Sequence, residues 1–409
     1  MIMLTRLYDL IQNNAFFLAS LCVVSALGYI ALFSAKKLPF PFLRSFFFIT
    51  ANKSTNVTLQ LGGMPTNISL ILLFLGALEF FPMTADQNKM VSYTLMLVVG
   101  VMFYGYLDDR YEIRPIFKLL HQVILATIFS YLTSDLLYPA NTVAPFLINF
   151  IVVMTALNGV NLLDGLDTMS FKIFAATLIF YTYLGLEYNL SSFFLIITAG
   201  SMALLIPFYF LNRAPAKVYL GEIGAGGLAS AGVGLANLFC LEMKGQMRMS
   251  NSLTLALAPL ILPATELGIS FLRRFFNNRS PFKGDKLHVH HLLNQKWGLK
   301  AAHVGTLYGV FQMALCLSAN FVTFHIGAFV GFLTTTFLVI ACYLYFGRPH
   351  WVGEDFIPIN LQNLFHIGLE KKVKIISGGV LTDFQIHLIA DNSSTNMDNF
   401  KNKNQQEAS

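Results

Sequence analysis

Apolar residues run along this chain in long blocks separated by short polar segments. This is neither the strict alternation of a strand nor the one-sided stripe of a surface helix. A helix of about 20 apolar residues crosses a bilayer. Eleven blocks approach that length, near residues 15–34, 66–82, 91–107, 117–138, 145–160, 168–187, 192–212, 226–242, 251–272, 302–323 and 325–346. The fifth is short before its polar end. The pattern predicts an all-α, polytopic membrane bundle over residues 1–346. Lys36 and Lys37 follow the first block, which reads as a retained helix and not a cleaved leader. Residues 347–390 mix apolar and basic positions, as in Leu364 to Val373, and predict a membrane-surface tail. Asn, Ser, Gln and Lys dominate residues 391–409, which predicts disorder.

Composition fits this picture: 55% of residues are hydrophobic and only 12% charged, against about 25% charged in a soluble domain. Cys22, Cys240, Cys316 and Cys342 are scattered through apolar blocks, which argues against a disulfide framework or a thiolate metal site. The position of the charge says more than its total. Loops after odd-numbered spans hold 17 of the 27 Lys and Arg, the opposite loops 4 and the tail 6. Cationic loops stay in the cytoplasm, so the N-terminus is expected outside and the C-terminus inside. Five polar segments follow odd-numbered spans: Lys53–Thr66, Leu107–Gln122, Asn158–Asp167, Tyr219–Gly227 and Arg273–His291. One membrane face is thus expected to carry a composite site. A transporter would be expected to place such groups mid-span, often in inverted repeats.

The segments have readable chemistry. Asp108 and Asp109 are adjacent carboxylates, suited to a divalent cation or to accepting a proton; a solvated helix end with Arg110 as counter-charge is the plainer reading. Lys118 and Gln122 lie one helical turn apart, and Lys118 suits a phosphate, or simply snorkels at a span boundary. Asn158, Asn161, Asp164 and Asp167 recur at three-residue spacing, with Gly159 and Gly165 allowing close approach. Their oxygens suit Mg²⁺ or a nucleoside, although amides also bond across helices. Glu222 sits in a glycine-rich turn opening the eighth span, where free amides favour an anion and small residues favour tight packing. His288, His290 and His291 lie in the most basic loop, downstream of Arg273 and Arg274. Diphosphate or lipid-phosphate recognition suits them better than zinc, because no Cys or carboxylate set completes a zinc site; a solvated basic loop attracted to anionic lipid accounts for the Arg and Lys but not the His. Gly62-Gly63-Met64-Pro65 alone predicts a turn.

Taken in order, Gly-Gly-Met-Pro, Leu-Asp-Asp-Arg with Lys118 and Gln122, Asn-Gly-Val-Asn-Leu-Leu-Asp-Gly-Leu-Asp, Tyr-Leu-Gly-Glu and His-Val-His-His resemble the polyprenyl-phosphate N-acetylhexosamine-1-phosphate transferases over roughly residues 50–300. Leu-Asp-Asp-Arg-Tyr-Glu, His-x-His-His and the eleven spans are similar to the N-acetylglucosamine branch. The muramoyl-pentapeptide branch typically has three consecutive His. The resemblance implies transfer of N-acetylhexosamine-1-phosphate from a UDP-sugar to undecaprenyl phosphate with release of UMP, starting a cell-surface glycan of the lipopolysaccharide type. It also implies a bacterial inner-membrane enzyme with its site on the cytoplasmic face, Mg²⁺ (or Mn²⁺), no nucleic-acid partner, and homodimerisation as an option. By motif position Asn161 and Glu222 match the metal-binding residues, and Asp108 and Asp109 the catalytic pair, whether as base or in ordering the site. Asp164 is counted with that pair without a role of its own. Lys118 matches a phosphate contact and Asp167 a uracil contact. His288, His290 and His291, with Arg273 or Arg274, match the diphosphate-side loop.

The chain departs from the family pattern twice. Glu222 stands where Asp is usual, and Thr168 replaces the second glycine of Asp-Gly-x-Asp-Gly. Either change is compatible with another sugar, slower turnover or a non-catalytic member. On this reasoning Glu222→Asp is expected to retain or raise activity.

Overall fold

The computed structural model describes residues 2–34, 61–111, 113–137, 143–277, 287–295, 297–352, 373–376 and 379–382. The predicted disordered stretch 391–409 and most of the predicted surface segment 347–390 lie outside them. Among the described residues, eleven helices are long and apolar enough to cross a membrane, as the block pattern predicts. In chain order the helices are α1 (Ile2–Asn13), α2 (Ala15–Ser34), α3 (Gly63–Phe80), α4 (Ala85–Tyr111), α5 (Pro115–Leu137), α6 (Val143–Leu163), α7 (Met169–Glu187), α8 (Ser192–Asn212), α9 (Gly221–Glu242), α10 (Met249–Leu257), α11 (Ile261–Phe276), α12 (Val289–Gln295), α13 (Ala301–His325) and α14 (Ala328–Val352). A 3₁₀ turn, Ala258–Leu260, joins α10 to α11 within the ninth span. Pro259 lies within that turn and Pro263 in the first turn of α11, and neither has the amide hydrogen an unbroken helix uses.

Contacts divide the chain into two units. The first, Met1–Gly268 with His288–Tyr343, is the bundle. Its centre is α9, 94% buried across its apolar window. Small residues permit that burial by letting neighbouring helices approach its backbone. A side chain at Gly226 would strike Val101, and one at Gly234 would strike Thr94. Asn67 of α3 donates its amide to the Ile223 carbonyl at 2.6 Å. At the end of α9 away from Gly221, Glu242 accepts hydrogen bonds from Gln87 Nε2 (3.0 Å), Ser191 N (2.7 Å) and Ser191 Oγ (2.6 Å). That carboxylate ties the starts of α4 and α8 to the end of α9. The second unit holds residues 269–287 and 344–409. It contains an antiparallel hairpin, β1 (Val373–Ile376) with β2 (Gly379–Thr382), which the apolar pattern does not predict.

One residue in the bundle is held against its own preference. Thr168 has φ +64°, is 3% exposed, and its hydroxyl oxygen has no hydrogen-bond partner among the described residues. Its amide donates to Asn212 Oδ1 at 2.6 Å, and Asn212 donates to the Val218 carbonyl at 2.8 Å. A left-handed backbone costs an L-residue about 1–2 kcal/mol, and more than usual when it is β-branched. Glycine returns roughly 0.5–1 kcal/mol of that as chain entropy. Thr168→Gly keeps the amide bond and removes a buried hydroxyl, so it is expected to stabilise the protein by about 1 kcal/mol. Thermal unfolding in one detergent checks this, and a lowered Tm would refute it.

Candidate active site

Parts of the polar segments within the first unit, Gly62–Thr66, Asp108–Asp109, Lys118–Gln122, Asn158–Asp167, Tyr219–Gly227 and His288–His291, meet at one end of the bundle, and backbone contacts set the frame. The amides of Gly62 and Gly63 donate to the carbonyls of Tyr219 and Leu220, each at 2.9 Å. A Cβ at Gly63 would collide with the Gly224 backbone, so this approach requires glycine. Tyr29 of α2 reinforces the turn, its hydroxyl 2.6 Å from the Gly62 carbonyl and 2.6 Å from Thr66 Oγ1.

Asp109 then fixes the start of α9. Its two oxygens accept the amides of Glu222 (3.0 Å) and Ile223 (3.1 Å). A carboxylate there satisfies amides that a helix start leaves unpaired and complements the helix dipole. Gly105, one turn earlier on α4, lets the two backbones touch: a Cβ would lie 2.6 Å from Ile223 Cα.

Glu222 is the hub. One carboxylate oxygen pairs with Lys118 Nζ, and the other accepts Asn161 Nδ2 at 2.7 Å. Lys118 also lies 3.6 Å from Asp108 Oδ2, and Asp108 Oδ1 accepts the Ile113 amide at 2.9 Å. Asn158 donates to Gln122 at 3.0 Å, tying α6 to α5. Three helix ends thus deliver Asp108, Lys118 and Asn161 to one carboxylate. Among the described residues, no three His, Cys, Asp or Glu side chains converge as a metal cage. The oxygens of Asn161, Glu222 and Asp108 nevertheless fit Mg²⁺, a hard cation that keeps several waters and shares one or two carboxylates with substrate phosphates.

The rest of the Asn158–Asp167 segment leads from this hub to the His loop. Ser170 donates to Asp164 Oδ1 at 2.6 Å. Burial lifts the Asp164 carboxyl to about 7, opposed by the Ser170 bond and helped by the charges of Glu222, Asp109 and Asp167. Burial also raises Asp167. A Cβ at Gly165 would meet His290, and His291 Nε2 at 3.2 Å. The glycine therefore admits the His loop against this turn. Beside Leu163 and Ser170 lies a small apolar cavity, also lined by Val160, Thr177, Leu228 and Pro263.

The His residues differ. His288 Nδ1 lies 2.6 Å from Glu266 Oε1. His290 is fully buried, neither ring nitrogen has a partner among the described residues, and burial drives its pKa down to about 3. It packs as a neutral ring between His288 and His291, with centroids at 5.4 and 4.3 Å. Arg273 and Arg274 belong to the second unit, in the last turn of α11, where Asn277 Nδ2 donates to the Arg273 carbonyl at 2.7 Å. Sequence reasoning overlooks Glu266, Ser170 and Asn212. A carboxylate within an apolar span was the available signal for Glu266.

Known proteins bear on this arrangement. The family model described as glycosyl transferase family 4 matches residues 91–239. The chain is 26% identical over 295 residues to undecaprenyl-phosphate α-N-acetylglucosaminyl 1-phosphate transferase of Haemophilus influenzae, covering 66% of this chain and 79% of that one. The Pasteurella multocida protein of the same name is 26% identical over 311 residues, covering 68% and 81%. A phospho-N-acetylmuramoyl-pentapeptide-transferase of a Thermoanaerobacter species is 29% identical over 174 residues, covering 36% and 53%. The matched segment contains Asp108, Asp109, Lys118, Asn161, Asp164 and Glu222. The chain is thus similar to glycosyl transferase family 4 over residues 91–239, in a multi-pass membrane protein.

Proposed function

We propose that the protein transfers an N-acetylhexosamine-1-phosphate, most readily N-acetylglucosamine-1-phosphate, from its UDP-sugar to undecaprenyl phosphate. A phosphate oxygen of the lipid attacks the β-phosphorus. The bond to the α-phosphate breaks, UMP leaves, and a lipid diphosphate sugar remains in the bilayer. The observation that carries this reading is the convergence of Lys118, Asn161 and Asp108 on Glu222, with Asp109 pinning the helix that bears it. Such chemistry depends on positioning and charge more than on covalent help.

Each group then has a task. Asn161 and Glu222 would hold Mg²⁺, with Asp108 nearby, and the ion would supply positive charge against the diphosphate. Lys118 brings a compact positive charge to the transferred phosphate. Asp109 orders the site, since both its oxygens already serve the α9 backbone. Asp164 takes the proton from the lipid phosphate, having a carboxyl tuned near neutrality and oriented by the Ser170 hydroxyl. Asp167 receives the uracil. The cationic loops put the site on the cytoplasmic face of a bacterial plasma membrane, and the product starts a surface glycan such as an O-antigen.

The test uses purified protein, undecaprenyl phosphate, Mg²⁺ and a panel of UDP-sugars that includes UDP-N-acetylmuramoyl-pentapeptide. UMP release with UDP-N-acetylglucosamine is expected. No UMP from any UDP-N-acetylhexosamine would end this reading.

Asp164 gives a pH prediction. Its folded pKa near 7 lies above the unfolded value of about 3.9. The protonated form therefore favours folding, and stability falls as pH rises between those values. Asp164→Asn is expected to raise Tm relative to wild type at pH 8, to leave it unchanged at pH 3.5, and to abolish UMP release. Equal Tm at pH 8, or retained turnover, would remove Asp164 from the proton-transfer role.

A further inference from the structure

Glu266 is a carboxylate inside an apolar span, and no step above uses it. It is 1% exposed and lies beyond the matched family segment. Ionisable groups within a span are expensive, and they are retained where they serve a site. Both its oxygens are engaged. Oε1 is 2.6 Å from His288 Nδ1, and Oε2 accepts the Tyr343 hydroxyl. Tyr343 in turn stands 3.4 Å from the Tyr308 hydroxyl. Three helices, α11, α13 and α14, thus bring one polar group each to the residue that opens the His-Val-His-His segment.

Stability alone explains this arrangement poorly. A buried ion pair contributes little net stability, and well-packed apolar residues of similar volume often replace one without loss. A carboxylate on one imidazole nitrogen does something more specific: it sets the tautomer and orientation of the ring. The orientation of His288 is passed on. Its ring is stacked on His290 at 5.4 Å and 5°, and His290 contacts His291 at 4.3 Å. His290 and His291 are the residues that face Gly165.

We propose that Glu266 is a positioning residue of the transfer site. Clamped by Tyr343, it fixes the ring of His288 and, through the stacked imidazoles, the face of the His loop that meets the sugar-nucleotide diphosphate. The inference rests on the reading above that this loop serves the diphosphate. It assigns the last two spans a purpose: they hold the clamp.

The experiment is a double-mutant cycle on the full-length protein in detergent. The variants are Glu266→Gln, His288→Ala and the pair, read both as UMP release and as the Kd for UDP. Glu266→Gln keeps volume and an acceptor oxygen but loses the charge. It is expected to lower UMP release about 10- to 100-fold and to weaken UDP binding. The double variant is expected to be no worse than His288→Ala, because Glu266 acts through that ring. Glu266→Asp keeps the charge but draws it back by about 1.5 Å, so it should recover only part of the loss; a mere scaffold would not show this rescue. If Glu266→Gln does not fold, Tyr343→Phe replaces it in the cycle, with a smaller loss and the same non-additivity. Wild-type behaviour of Glu266→Gln, or losses that multiply in the double variant, would overturn the proposal. If the wild type binds UDP but releases no UMP from any UDP-sugar, the proposed function falls and the cycle in UDP binding still decides this point. If the wild type does not bind UDP, both fall.

Discussion

Glu222→Asp is expected to lose about 100-fold in UMP release. The family pattern, which usually has Asp here, suggests the reverse, but the geometry decides against it. Glu222 reaches Lys118 with one oxygen and Asn161 with the other, the latter at 2.7 Å. Removing a methylene draws the carboxylate back by about 1.5 Å. The helix cannot follow, because Asp109 and the Gly63–Leu220 hydrogen bond hold its start. A displacement of about 1 Å among reacting groups can lower the rate on the order of 10²-fold. Activity at or above wild type would show that the site recloses around the shorter residue.

Asp109→Ala should be more damaging, at about 10³-fold, which is the upper end for loss of one preorganised electrostatic contact. The substitution leaves the amides of Glu222 and Ile223 unpaired in a site that Gly105 holds closed. Each unpaired buried amide costs about 1–3 kcal/mol. Relief comes only by moving the end of α9, and Glu222 moves with it. Asp109→Asn keeps one acceptor and should fall between the two. A base role alone would make Asn as inactive as Ala, so the ranking Asp > Asn > Ala separates anchoring from proton transfer. Equal loss in Asn and Ala, with unchanged Tm, would count against anchoring.

The spans were legible because a bilayer demands length and apolarity, and both are local properties of sequence. The ends were less so. α4 runs on through Asp108 to Tyr111, past the last apolar residue, because its final turn is anchored to another helix's backbone. α1, the break at Ala258–Leu260 and the short α12 are too brief or too polar for a rule based on 20 apolar residues. Within the site, residue types and their order pointed to Asn161, Lys118, Asp108 and Glu222. The partner of Asp109 was not legible, since it is a pair of amide hydrogens that every sequence possesses. Glu266, Tyr308 and Tyr343 were overlooked for another reason. Each lies in a different span, and only the fold brings them together. At Thr168 the sequence shows a missing glycine, and the structure supplies the reason glycine is favoured there, a left-handed backbone.

The pairing of Gly62 and Gly63 with Tyr219 and Leu220 bears on how the protein is made. These partners lie about 157 residues apart in the chain. At about 5–20 residues per second the ribosome needs roughly 8–30 s to synthesise the intervening segment. During that interval α3 and α4 sit in the membrane with the grooves meant for α9 uncovered. α9 is the most buried span and among the richest in glycine, and it must enter a bundle whose other walls are already inserted. Its arrival completes both the packing and the catalytic end in one event. A nascent chain halted before residue 221 would therefore hold seven spans and no site. A folding defect in α9 should appear as degradation of an inserted intermediate, and not as a stable protein with reduced turnover.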